Sequence, residues 1–138
     1  MILALLPVNF VLAGERYETC ILKDEVKTLR MQYAETDGMP AASDVARFAA
    51  GLTLSDGTQC LPALLCLLPE QGACRVTVRE GKYHMVRRML AACGAPVVRL
   101  HRESIGGLVL DKMLMPGDFR ELTEEETQAV FRDTMPQI

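Results

Sequence analysis

The tightest constraint in this sequence is a short cationic helix set between two strands. Residues 82–93 (KYHMVRRMLAAC) place Tyr83, Val86, Met89, Leu90 and Cys93 at helical spacing, and Gly94 followed by Pro96 stops the run. Ahead of it, residues 74–79 (CRVTVR) alternate with period two. Behind it, residues 97–101 (VVRLH) put Val98 and Leu100 on one side, with Arg99 and His101 on the other. A helix with one apolar stripe, flanked by strands with one apolar face each, buries those surfaces by lying on a sheet. His84, Arg87, Arg88 and Ala91 form the stripe beside the buried one, so these cations lie against the core and not on a loose tail.

The rest of the chain extends the same pattern. Residues 16–22 (RYETCIL) read as a half-buried strand with Tyr17, Thr19 and Ile21 on one face, whereas residues 23–32 are polar and decide nothing. Asp37-Gly38 and Pro40 make residues 35–42 a loop. Ser43 is placed to cap a helix over 44–50, with Val45, Phe48, Ala49 and Leu52 as its apolar stripe and Gly51 at its end. After the Asp56-Gly57 turn, residues 60–68 (CLPALLCLL) predict a buried strand beyond Pro62 that pairs antiparallel with 74–79. Gly106-Gly107 opens a further strand at 108–110, and Thr123 with Glu126 is a capping box starting a helix over 124–133. The expected class is α+β, a mostly antiparallel mixed sheet covered by two or three helices.

At 138 residues, 49% apolar and 24% charged, the chain suits one globular domain, taken here as residues 1–138. It has no Trp and eight Met, so the core is soft and mostly aliphatic. The net charge of −3 conceals an asymmetry. Between Arg75 and Arg102 seven Lys and Arg face one acid, a net +6, which leaves −9 on the remainder. A basic cluster on an acidic chain is the electrostatic pattern of a polyanion site.

Several function classes are excluded. The opening MILALLPVNFVLAG lacks a basic n-region, is broken by Pro7 and Asn9, and is too short to span a bilayer. It reads as a strand entering the domain, and the expectation is a cytoplasmic protein with no membrane partner. The five cysteines (Cys20, Cys60, Cys66, Cys74, Cys93) are odd in number and form no C-x-x-C pair, so they read as buried free thiols in a reducing compartment. No phosphate-binding glycine loop is present. His84 and His101 stand apart without paired carboxylates, so neither a metal nor a cofactor is expected. Five similar thiols argue against a single nucleophilic cysteine.

Single residues leave alternatives open. Arg87 can pair with a carboxylate inside a site, grip a phosphate, or form a surface salt bridge. Tyr17 is either a core strand residue or a stacking platform, and Gly106-Gly107 either a bend or a ligand contact.

A longer pattern narrows them. The run Glu80-Gly81-Lys82-Tyr83-His84-Met85-Val86-Arg87-Arg88-Met89, then Gly94, then Val98-Arg99-Leu100-His101-Arg102 through Ile105-Gly106-Gly107-Leu108, then Pro116-Gly117 and Arg120-Glu121-Leu122-Thr123, resembles the C-terminal half of the catalytic domain of ribosomal RNA pseudouridine synthases. The likeness is to their small-subunit (RsuA-type) branch, with the pattern E-G-[RK]-[YF]-H-Q-[VI]-[RK]-R-M, then V-x-x-L-x-R-x-x-I-G-G-x-x-L, then P-G-x-[YFW]-R-x-L. A weaker likeness runs back through Asp44-Val45-Ala46-Arg47-Phe48, Asp56-Gly57 and Cys60-Leu61-Pro62-Ala63 to Glu15-Arg16-Tyr17-Glu18, which looks like the family's K-x-Y strand.

The resemblance implies an enzyme fold that flips a uridine out of its stack, breaks the glycosidic bond, rotates the base and rejoins it through carbon. It implies that Arg87 holds the family's catalytic aspartate, that Tyr17 stacks on the extruded uracil, and that Leu100 packs beneath the base. Arg79, Lys82, His84, Arg88 and Arg102 would meet the ribosomal RNA backbone. The physics agrees with these roles. A buried carboxylate needs a charged partner, an extruded base a stacking surface, and an RNA strand cations.

Met85 stands where the family has Gln, and Glu15 where it has Lys. No stretch of the 138 residues matches the family's aspartate segment, G-R-L-D-x-x-T-x-G-L-L-L-L-T, or its S4-like module. The expectation is therefore an N-terminally truncated pseudouridine-synthase-like domain that binds ribosomal RNA and is inactive alone. Its partner would be a separate chain bearing the aspartate segment, or a second copy. The alternative is a non-enzymatic RNA-binding or dimerisation module whose open sheet edge a partner covers.

Overall fold

A computed structural model of the chain describes residues 10–12, 29–70, 72–79 and 84–132. In order these form β1 (Phe10–Leu12), β2 (Arg30–Thr36), α1 (Ala42–Ala50), β3 (Leu64–Leu67), β4 (Ala73–Val78), α2 (Met85–Ala92), β5 (Val97–Ile105), β6 (Leu108–Val109), β7 (Phe119–Glu121) and α3 (Glu124–Ala129). Arg30–His101 forms one unit, and the described residues on either side belong to a second. The strand expected at 16–22 lies outside the described residues.

In the first unit the strand order is β3–β4–β2–β5. β4 pairs antiparallel with β3 (Leu65↔Val76) and with β2 (Ala34↔Cys74). β4 has a neighbour on each edge, and all its residues but Arg75 are buried, where alternation alone predicts half. β3 was expected to be buried. It is an edge strand instead, and only Leu65 is buried, Leu64 being 47% exposed and Cys66 exposed.

β2 was not foreseen as a strand. Its end meets the start of β5, where Asp37 N–H donates to the Pro96 carbonyl at 2.9 Å. β5 is longer than expected. Val97 and Leu100 pack against the core, and Val98, expected on the inner side, is 64% exposed. The two core contacts are three residues apart, so this stretch does not keep strict alternation.

The core joins Ala34, Leu65, Cys74, Val76 and Val78 of the sheet to Phe48 of α1 and to Met85, Val86, Met89 and Leu90 of α2. Each such side chain contributes roughly 1.5–3 kcal/mol when fully buried. α1 begins one residue before Ser43, not after it. Ala41 is the cap and offers no side-chain acceptor; the Asp44 N–H goes to the Ala41 carbonyl at 2.9 Å, and the Asp44 carboxylate takes the Ala41 N–H at 2.8 Å. That bond, with the help of Arg47 at 2.8 Å, holds the buried Asp44 carboxyl below its usual range. α2 starts at Met85, later than residue 82, from a left-handed His84 (φ 47°), and it closes through Gly94 N–H to Ala91 O at 3.0 Å. Tyr83, expected in its core stripe, lies outside the described residues.

In the second unit, from Arg102 onward, β5 turns through Gly106-Gly107 into β6, with Ile105 opposite Leu108. Gly106 sits at φ +57°, and a Cβ there would lie 2.0 Å from the Val130 carbonyl oxygen. Gly107 N–H donates to Ala129 O at 2.7 Å. These glycines bring backbone against backbone at the end of α3, which is the bend reading made specific. Ile105, Leu108, Leu122 and Val130 form the local core.

The Thr123–Glu126 capping box is present, with Thr123 N–H to Glu126 Oε2 at 2.9 Å and Glu126 N–H to Thr123 Oγ1 at 3.2 Å. α3 stops at Ala129 and not 133, because the glycine turn takes the Ala129 carbonyl and the next bonds tighten to three-residue spacing (Phe131 to Gln128, 3.1 Å). β1, within the opening read as a strand, pairs antiparallel with β7. Among the described residues no helix is long and apolar enough to cross a membrane.

Candidate functional site

α2 carries the cations, and its geometry separates them. At about 100° per residue, Met85, Val86, Met89 and Leu90 fill one face, and Arg87 and Arg88 leave the helix at opposite borders of it. Arg88 is engaged. Its Nη2 donates to Asp56 Oδ2 and, at 3.3 Å, to Thr58 Oγ1. Asp56 in turn accepts the Thr58 N–H at 3.0 Å, and the hydrogen bonds from Thr58, with the Arg88 charge, hold its carboxyl below the usual range. A single arginine thus fastens the 54–58 turn to α2.

Arg87, half-buried on the Leu90 side, makes no ion pair with a described residue. Leu100 packs against the same core cluster that holds Val86 and Leu90, so the helix bearing Arg87 and the leucine expected beneath the base share one apolar surface. His84 is exposed, and Arg79, just past β4, is partly buried. Arg99 reaches Glu35 at 3.6 Å on an exposed surface. Arg102 is partly buried in the second unit. Tyr17 and Lys82 lie outside the described residues.

Sequence reasoning passed over Arg30 and Gln32. Both are on β2, 9% and 7% exposed, and their cross-strand partners Val78 and Val76 belong to the core, so both side chains leave the sheet on its core face. Neither has a hydrogen-bond or ion-pair partner among the described residues. Burial lowers the Arg30 pKa from its ordinary value. The available signal was the alternation of residues 30–36, which suggests solvent for its polar members and gives burial only once strands flank both edges.

The thiols differ among themselves. Cys60 and Cys74 are buried, Cys93 is intermediate, and Cys66, expected inside, is exposed. Burial pushes Cys74 and Cys93 up to about 11. Cys20 lies outside the described residues.

Set beside known proteins, the chain is 48% identical over 101 residues, 71% of its length, to the ribosomal small subunit pseudouridine synthase A of Escherichia coli (strain K12). The chain is homologous to part of the small-subunit pseudouridine synthases. The synthase of the same name from Vibrio cholerae is 42% identical over 108 residues, and that from Vibrio parahaemolyticus 47% over 89. A crystal structure of a pseudouridylate synthase superposes with a TM-score of 0.71 at 33% identity, over 75% of this chain and 45% of that one, which supports the α+β fold. The chain spans less than half the length of these relatives, 43% for the Escherichia coli synthase. No protein-family model matches it.

Proposed function

We propose that this chain forms part of a cytoplasmic pseudouridine synthase acting on small-subunit ribosomal RNA, and that its nucleophilic aspartate comes from outside these 138 residues. The observation that carries the reading is the 48% identity to the Escherichia coli synthase, across a stretch that covers 71% of this chain. The bond from C1′ of the ribose to N1 of uracil breaks, the base rotates, and C1′ bonds to C5. A proton leaves C5 and N1 gains one, so the product is an isomer and atoms balance without an oxidant or a cofactor.

In this reading Arg87 receives the aspartate, Tyr17 stacks on the base, and Leu100 supports it from the apolar side. Arg79, Lys82, His84 and Arg102 meet phosphates. Arg88 joins them only by exchanging Asp56 for the RNA, so its contribution to affinity is smaller than that of a free arginine. The aspartate comes with a G-R-L-D segment that these 138 residues do not contain, and the 138 residues alone do not turn over.

Anisotropy titration of a small-subunit ribosomal RNA fragment tests the binding half of the proposal. Affinity should fall linearly in log K against log salt and drop further in the Arg87→Ala/Arg88→Ala double variant. A flat salt dependence would favour the second reading, a protein-interaction module, which the exposed Leu64 and Cys66 on the edge strand β3 support.

A further inference from the structure

Of the seven large apolar side chains that stand exposed among the described residues, three fall within residues 113–119. Exposed apolar residues scattered singly are ordinary, whereas a cluster on one loop marks a contact surface. Met113 is 87% exposed, and Met115 and Phe119 are more than half exposed. Leu114, between the methionines, packs against the local core of Ile105, Leu108, Leu122 and Val130, and its two neighbours face solvent. On β7, Arg120 turns to Asp111 and Glu126, so Phe119 and Glu121 share the other, exposed face of the strand.

The loop is fastened in this form. Met113 N–H donates to Asp111 Oδ1 at 2.8 Å, Met115 N–H to Asp118 Oδ2 at 3.0 Å, and Asp118 N–H to the Met115 carbonyl at 2.9 Å. Arg120 Nε ties Asp111 to β7 at 2.8 Å. The backbone is therefore held while the unbranched methionine side chains stay adaptable, which suits a surface that receives an apolar anchor.

Charge decides the kind of partner. Between Arg102 and Ile138 eight Asp and Glu stand against four Lys and Arg, a net −4. Residues 1–29, the rest of this unit, add four acids against three cations, so the whole unit is net negative. Arg120 is engaged by Asp111 and Glu126, whereas Asp118, Glu121, Glu124 and Glu125 are exposed on the loop and just after it. Such a surface repels phosphates, so it fits neither an RNA strand nor an anionic bilayer. A polypeptide that carries cations beside apolar side chains complements it in both respects.

We propose that Met113, Met115 and Phe119, with the acids Asp118, Glu121, Glu124 and Glu125, form a docking surface for a lysine- or arginine-rich protein segment with apolar anchors. The assignment does not rest on the pseudouridine synthase reading. The apolar side chains supply affinity, and the acids speed encounter and turn acidic segments away.

The test titrates the whole chain with a labelled synthetic peptide of alternating leucine and lysine, with the same peptide bearing glutamate for lysine, and with one bearing serine for leucine. Wild type should bind the leucine–lysine peptide roughly tenfold more tightly than either of the others, and less tightly as salt rises. Met113→Ser/Met115→Ser should lose roughly tenfold in affinity. Glu121→Gln/Glu124→Gln/Glu125→Gln should lose about as much, together with most of the salt dependence. Leu64→Ser removes an exposed apolar side chain of β3, and Asp37→Asn an exposed acid of the other unit; each should bind within about twofold of wild type.

Unchanged affinity in the methionine and glutamate variants would overturn the proposal. So would equal binding of the lysine and glutamate peptides, a comparison that needs only wild type and stands if a variant fails to fold. Sedimentation without peptide should give the same state for wild type and Met113→Ser/Met115→Ser. Self-association that disappears in that variant would assign the surface to a second copy and overturn the proposal.

Discussion

The Arg120 guanidinium closes on the Glu126 carboxylate with two hydrogen bonds, Nη2 to Oε1 at 2.7 Å and Nη1 to Oε2 at 2.9 Å. Its Nε donates to Asp111 at 2.8 Å, and Glu126 Oε2 also takes the Thr123 N–H. One arginine therefore ties β7, the turn at Asp111 and the first turn of α3. The hydrogen bonds from Arg120 are the main reason that Glu126 falls to about 2 from 4.5 and that Asp111 also titrates below its usual range.

Acid sensitivity follows with a definite sign. A carboxylate lowered in the folded state stabilises fully above its unfolded pKa, 4.5 for Glu126, and that stability is lost as pH falls towards about 2. Urea midpoints measured across this window should fall with pH, and Arg120→Met should flatten that limb. At neutral pH the same variant should cost about 2 kcal/mol, since charge-assisted bonds of this kind are lost together and two carboxylates remain side by side.

The two glycines that end α2 and begin the β5–β6 turn should respond differently to alanine. At Gly106 a Cβ meets the Val130 carbonyl oxygen at 2.0 Å, so Gly106→Ala must displace backbone and should cost about 3 kcal/mol or more. At Gly94 (φ +74°) nothing lies within 4 Å of the added carbon, so Gly94→Ala should cost only the left-handed strain, about 1–2 kcal/mol. Equal losses in chemical denaturation would refute the backbone-contact explanation of the glycine pair.

Asp56 competes with RNA for Arg88. Asp56→Asn removes an exposed negative charge and releases the guanidinium, so affinity for a ribosomal RNA fragment should rise and the salt slope should steepen by about one unit. The stability cost should be small, as for other exposed pairs. Unchanged affinity and slope would place Arg88 outside the RNA contact.

Thiol labelling should separate the cysteines by burial. Cys66 on the edge strand should react with a thiol reagent in the native protein, while Cys60 and Cys74 react only on unfolding. Cys93 should be slow at pH 7–8, because burial and the neighbouring Asp44 push it up to about 11. Protection of Cys66 in the native protein would mean that the β3 edge is covered in solution.

Local chemistry was readable in the sequence where it depends on near neighbours. The Thr123–Glu126 box, the apolar stripe of α2 and the β3–β4 pairing all follow from spacings of a few residues. β2 was not readable, because Arg30, Gln32 and Thr36 alternate with Met31, Tyr33 and Glu35 as a half-exposed strand would, and only strands on both sides bury them. Cys66 was misplaced for the converse reason: an apolar run suggests a buried strand, and topology puts β3 at an edge. The start of α1 was hidden because its cap is an alanine with no side-chain acceptor, and the carboxylate three residues on binds the N–H of that alanine. Arg87 and Arg88 look equivalent in sequence, and the separation of 32 positions between Arg88 and Asp56 hides the difference. The stacking role assigned to Tyr17 and the phosphate contact assigned to Lys82 fall outside the described residues, and both stand as proposals.

The most direct measurement is conversion of uridine to pseudouridine in a small-subunit ribosomal RNA fragment, with this chain alone and with a second polypeptide carrying the G-R-L-D segment. The account predicts no conversion by the chain alone, conversion by the pair, and loss of that conversion in Arg87→Met. Conversion by the 138 residues unaided, or full activity of the pair without the Arg87 guanidinium, would contradict it.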